Sequence, residues 1–214
     1  MNRIATTPAV AAAGGGGLRG PRRRAGLHWR MALILAGVML SLLATAVVRA
    51  DSYDERRMRA GARLFRALLV ADLDLRSRAA EDGELHVVLL GANSSEENEL
   101  RRHMLPQGDA PPQLGGLPMQ IEVRELAALD GDPRPAAVFI ARPLGGQELA
   151  QLVQWSRQRQ VVLYSPFEGD VERGVMAGLS VEAKVLPYLN QAALEAAGVS
   201  LKPLFLKVAK VHQP

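Results

Sequence analysis

Apolar residues along this chain fall into three kinds of pattern, and each predicts a different element. Residues 31–48 form an unbroken apolar stretch without a charge, which water solvates poorly and a bilayer solvates well. Shorter apolar runs without alternation, at residues 86–91, 136–141 and 161–165, have the length and β-branched content of central parallel strands covered on both faces. Met119, Ile121 and Val123 alternate with Gln120, Glu122 and Arg124, the period of a strand with one wet face. Leu179 and Val181 alternate in the same way, and a second extended run over 185–189 follows at once, which predicts an antiparallel hairpin at one sheet edge.

Helical spacing fills the gaps between these strands. Leu64, Phe65, Leu68 and Leu69 form one stripe, predicting a helix over residues 51–80. Ser94, with Glu97 three residues on, has the spacing of a capping box. Leu149, Leu152, Val153 and Trp155 line a further helix. Asn190 stands where a cap would open a short helix that Gly198 stops, and Leu201, Leu204, Phe205 and Val208 predict a final helix docked on the core. Residues 105–118, with Pro106, Gly108, Pro111, Pro112, Gly115, Gly116 and Pro118, read as a surface loop. The alternation predicts an α/β fold: a three-layer sandwich with a mainly parallel sheet, an antiparallel hairpin at one edge and C-terminal helices packed on the sheet.

Charge changes how the first stretch is understood. The chain has 26 Lys and Arg against 22 Asp and Glu, a balance that would invite a nucleic-acid reading. Seven of the basic residues (Arg3, Arg19, Arg22, Arg23, Arg24, Arg30 and Arg49), and no acidic ones, precede Asp51. The remainder is mildly acidic, which removes nucleic acid from the expected partners. Arginines before residue 31 keep that end cytoplasmic and send the rest across the membrane. Residues 1–30 are then a disordered basic leader, 31–50 a signal-peptide core with a cleavage site at Val48-Arg49-Ala50 or a retained anchor, and 51–214 one periplasmic domain. Membrane contact is expected only through residues 31–48. No cysteine is present, so neither a disulfide nor a lipid-anchoring thiol is available.

Candidate chemistry is sparse. The four histidines, His28, His86, His103 and His212, lack the spacing of a ligand set, so no metal and no cofactor is expected. Ser165-Pro166 lacks the glycine-flanked elbow of a nucleophilic serine, and no catalytic residue is assigned. Two loops at the carboxyl ends of strands, where partners dock on open α/β sheets, supply the binding candidates. Asn93, Ser94 and Ser95 could present backbone N–H groups or merely cap the helix. Phe167, Glu168, Asp170 and Arg173 make the densest cluster, and replacing its charged members by Ala is expected to leave folding intact.

The last forty residues carry a family likeness. Gly174 and Gly178 around a first strand, Tyr188-Leu189-Asn190, Ala192-Ala193, Ala197-Gly198-Val199 and the Phe205 to Lys210 segment stand in the order typical of the YfiR-like family of periplasmic proteins. Upstream, a strand ending at Gly91, Gly116-Leu117-Pro118 and the strand through Phe139 fit the same order, so the resemblance spans nearly all of 51–212. The opening helix lacks the family's usual aromatics, which marks a divergent relative. The resemblance implies a non-enzymatic regulator that binds the periplasmic part of an inner-membrane signalling protein, a diguanylate cyclase or sensor kinase, and so controls cyclic di-GMP and biofilm formation. A homodimer is compatible with that role. The alternative is a periplasmic solute-binding component of an envelope transporter or sensor.

Overall fold

Three aliphatic runs too short and too uniformly apolar to be helices lie side by side at the centre of one sheet. The computed structural model describes residues 54–105 and 111–213, all within one unit, Ala50–Pro214. Its elements are α1 (54–71), β1 (Leu85–Leu90), α2 (Ser94–Met104), β2 (Gln113–Leu114), β3 (Leu117–Arg124), β4 (Ala137–Ile140) and α3 (Gly146–Arg159). After these come β5 (Val162–Ser165), β6 (Ala177–Val181), β7 (Val185–Asn190), α4 (Gln191–Ala196), α5 (Pro203–Val208) and β8 (Lys210–His212). The strands run in the order β2-β3-β1-β4-β5-β6-β7-β8. From β3 to β6 every pair is parallel, and β6 and β7 form the antiparallel hairpin. Helices packed around the sheet complete a three-layer α/β sandwich, the architecture expected.

Every residue of β1, β4 and β5 is buried. Over them lies α1, whose Phe65 sits 5.5 Å from Phe139 edge-on and 5.4 Å from Tyr164. Offset and edge contacts of this kind add about 0.5–1.5 kcal/mol per pair to the area they bury. Burial pushes the Tyr164 hydroxyl well above the ordinary tyrosine range.

Four local expectations are corrected. Helix α1 stops at residue 71 rather than near 80, because Asp72 turns its side chain back on the chain: its Oδ1 accepts from Asp74 N at 3.0 Å. Asp72 also bridges to Leu201, and a single 3-10 turn, Leu75–Arg78, replaces the predicted continuation. Within the Pro/Gly-rich loop, β2 pairs antiparallel with β3 around Gly115 and Gly116, whose φ angles of 60° and 82° suit the tight turn. Beyond the hairpin, β8 pairs parallel with β7 and forms the outermost strand. The final helix is only Pro203–Val208, and Leu204 is 76% exposed, so docking falls to buried Leu201 and half-buried Phe205.

At Asn190 and Gly198 the expectations hold. The Asn190 side chain accepts from Ala193 N at 3.0 Å, and Gly198 takes a φ of 63° after α4.

Candidate functional site

The loop after β5 is built around one buried carboxylate. Ser165 Oγ donates to Asp170 Oδ2 at 2.5 Å and accepts from Phe167 N at 3.1 Å. Arg173 reaches the other Asp170 oxygen, Val175 N donates to the Asp170 carbonyl at 3.0 Å, and Asn190 Nδ2 donates to Val171 O at 2.9 Å. Ser165 and Asp170 are both almost fully buried. The serine thus organises the loop, and its hydroxyl proton is already committed to a carboxylate. Asp170 is equally internal, at odds with the expectation that its replacement by Ala leaves folding intact. Asp170→Ala strands the buried Ser165 hydroxyl and lowers stability by about 1–3 kcal/mol. Glu168→Ala, on an exposed side chain, stays within about 0.5 kcal/mol; urea denaturation of the two variants checks the contrast.

Outward from this core the loop forms one wall of a groove of about 220 Å³. Phe167, Glu168 and Glu172 face Tyr188 and Lys210, and Arg57 of α1 closes the end, its Nε donating to the Pro166 carbonyl. Lys210 Nζ pairs with Glu182 at 2.6 Å and lies 5.4 Å from the Tyr188 ring centroid. The Glu182 hydrogen bond holds the Lys210 ammonium above its ordinary range and the Glu182 carboxyl below its own. Burial, aided by Glu172, raises the Tyr188 hydroxyl.

Asn93, Ser94 and Ser95 lie elsewhere. The cap of α2 is Asn93, not Ser94: Asn93 Oδ1 accepts from Ser95 N and Glu96 N at 2.9 and 3.0 Å, and Glu96 returns to Asn93 N at 2.8 Å. Ser94 is simply the first helical residue. Asn93 and Ser95 line a second groove, of about 290 Å³, with Met58, Arg59 and Glu99, where Arg59 pairs with Glu55 and Glu99. Arg57 in the first groove and Arg59 in the second both belong to α1, whose first turns contribute to both. Phe167 and Glu168 therefore line the groove while Asp170 and Arg173 brace the loop behind it, and Asn93 caps α2.

The order in which strands are added reverses between the parallel strands β1 and β4, the point where open α/β sheets usually leave a ligand crevice. Here the Arg142 side chain crosses Gly91: a Cβ there would lie 2.4 Å from Arg142 Nε, and φ is +71°. The crevice is packed rather than open.

A third feature lies at the opposite, amino end of β1. Asp82, Glu84 and His86 bring one ligand atom each within 4.8 Å of one another, with His86 Nε2 2.8 Å from Asp82 Oδ2. They adjoin a cleft of about 780 Å³ lined by Asp82, His86, Asp132 and Arg134 among others. A backbone hydrogen bond from Glu84, then the His86 contact, holds the Asp82 carboxyl below its ordinary range. Spacing rules for paired histidines pass over this group; its signal is the alternation of residues 82, 84 and 86.

Among the described residues no helix is long and apolar enough to cross a membrane, and residues 31–48 lie outside them. No family model matches the chain, and no curated protein matches it. Among solved structures it is similar to the ABC domain in complex with L-Trp from Streptococcus pneumonia, at 11% identity and a TM-score of 0.44, over 64% of this chain and 59% of that one. It is also similar to a conserved domain protein from Vibrio cholerae O1 biovar El Tor, at 11% identity and a TM-score of 0.42, over 64% and 57%. The chain spans less than two thirds of either, and at these scores neither likeness carries an argument about fold or function.

Proposed function

We propose that residues 51–214 form a non-enzymatic regulator of YfiR type that works in the periplasm by binding the periplasmic part of an inner-membrane signalling protein such as a diguanylate cyclase. The observation that carries this reading is the groove between the loop after β5 and the β6–β7 hairpin. It sets two half-buried aromatics, Phe167 and Tyr188, among the charged Glu168, Glu172, Glu182 and Lys210. An anchor ringed by charged groups is the usual composition of a protein-binding patch. Its walls come from α1, the loop after β5, the hairpin and β8, so the patch is held in shape before any partner arrives, which lowers the entropy lost on binding.

The double variant Glu168→Lys/Glu172→Lys changes exposed side chains alone. It is expected to keep the wild-type melting temperature within a few degrees and to reduce co-purification with a co-expressed membrane cyclase at least tenfold, with cyclic di-GMP rising in the same cells. Unchanged co-purification and unchanged cyclic di-GMP would remove the groove from the interface and the reading with it.

A further inference from the structure

The turn that leads into β1 places two carboxylates and an imidazole together, and among the described residues no lysine or arginine forms an ion pair with either carboxylate. We propose that Asp82, Glu84 and His86 bind a divalent transition-metal ion of the zinc class, a site separate from the groove after β5.

Position comes first. Glu84 stands two residues before His86 at the entry to β1, and the turn through Gly83, whose φ is 79°, folds the chain so that Asp82 Oδ2 lies 2.8 Å from His86 Nε2. His86 is fixed: its ring is 10% exposed, and its backbone is held between Gln120 in the β1–β3 register and Ala136 N, which donates to His86 O at 2.8 Å. Asp82 is fixed by its turn, where Oδ1 accepts from Glu84 N at 2.9 Å and Ala80 N donates to Glu84 O at 2.9 Å. Glu84 is the adaptable member, and no hydrogen bond or ion pair of its carboxylate is present among the described residues. Zinc bonds of about 2.0–2.2 Å to nitrogen and oxygen set donors in a tetrahedral shell about 3.4 Å apart, so the Glu84 carboxylate closes in from the 4.8 Å limit of the cluster while Asp82 Oδ2 backs away from the 2.8 Å it keeps from His86 Nε2. The rotamers of Glu84 and of exposed Asp82 supply both movements.

Charge comes second. Two arginines line the same cleft: Arg78 is engaged by Asp72, the Gln160 carbonyl and the Gly198 carbonyl, and among the described residues Arg134 forms no ion pair with Asp82 or Glu84. One imidazole with two carboxylates suits zinc, cobalt or manganese; magnesium and calcium prefer all-oxygen shells. The position left by three protein ligands opens on the cleft that Asp82 and His86 line, where water can complete the shell.

The test uses the full chain purified in detergent, stripped with chelator and titrated with Zn²⁺ by calorimetry, and with Co²⁺ by visible absorbance. One saturable site per chain is expected. His86→Ala should weaken it at least tenfold and Glu84→Gln several-fold, while His103→Ala leaves it unchanged. If His86→Ala does not fold, Glu84→Gln, on a partly exposed side chain, decides. Absence of saturable binding, or binding that survives both Glu84→Gln and His86→Ala, overturns the assignment.

Discussion

Arg78→Ala is expected to lower the unfolding free energy by about 3–5 kcal/mol, the usual consequence of deleting one partner of a buried ion pair. The Arg78 side chain is 6% exposed and that of Asp72 1%, with Nε 2.5 Å from Asp72 Oδ2. The two remaining nitrogens donate to Gln160 O at 2.7 Å and to Gly198 O at 3.2 Å. Those carbonyls stand just beyond the ends of α3 and α4, and Asp72 just beyond the end of α1. One guanidinium thus meets three helix C-termini, where orphan carbonyls and the helix dipole both favour a cation. Removing it leaves a buried carboxylate and two acceptors unsatisfied at once. Arg78→Lys keeps the charge but cannot reach three acceptors with a planar fork, so it should fall between wild type and Ala. The Asp72→Ala/Arg78→Ala pair should lose less than the sum of its single variants. Urea denaturation measures all four, and an Arg78→Ala loss below about 1 kcal/mol would show that the junction does not depend on this residue.

That junction also shows where sequence reasoning stops. The central strands were legible because valine, leucine and isoleucine runs of this length have few alternatives to a doubly covered sheet. Asn190 and Gly198 were legible because a cap and a left-handed stop are local chemistry. The end of α1 was not, since Leu73 and Leu75 continue an apolar pattern. What ends the helix is the Asp72 side chain together with a bridge to Leu201, more than a hundred residues away. The cap of α2 was ambiguous in register: Asn93 with Glu96 and Ser94 with Glu97 have identical spacing, and the turn after Gly91 selects the first.

Site residues divide along the same line. The loop after β5 stood out by composition, and Phe167 and Glu168 do line a groove. Asp170 looks as exposed as Glu168 in sequence, yet Ser165, immediately before Pro166-Phe167, draws it inside. Lys210 pairs with Tyr188 across β7, which places its ammonium 5.4 Å from that ring. His86 lacks a second histidine at ligand spacing, whereas Glu84 and Asp82 precede it by two and four residues.

The second large effect belongs to Gly178. In β6 it sits opposite Ser165 of β5, and a Cβ at this position would lie 2.6 Å from the Ser165 carbonyl oxygen and 2.8 Å from Val171 Cγ2. The first of these atoms is backbone in a central strand and cannot rotate away. Gly178→Ala must therefore push β5 and β6 apart, and with them the buried Ser165–Asp170 contact that shapes the groove; overpacking of this kind costs about 1–3 kcal/mol and occasionally more. Gly169→Ala is the matched control, because its φ of +82° strains any side chain while nothing lies within 4 Å of the added carbon. It should lose about 1 kcal/mol through backbone strain alone. The expected order of stability is wild type, then Gly169→Ala, then Gly178→Ala, and the last variant alone should expose the Ser165–Asp170 loop to limited proteolysis. If Gly178→Ala unfolds at the same urea concentration as Gly169→Ala, the close approach of β5 and β6 is not what requires glycine there.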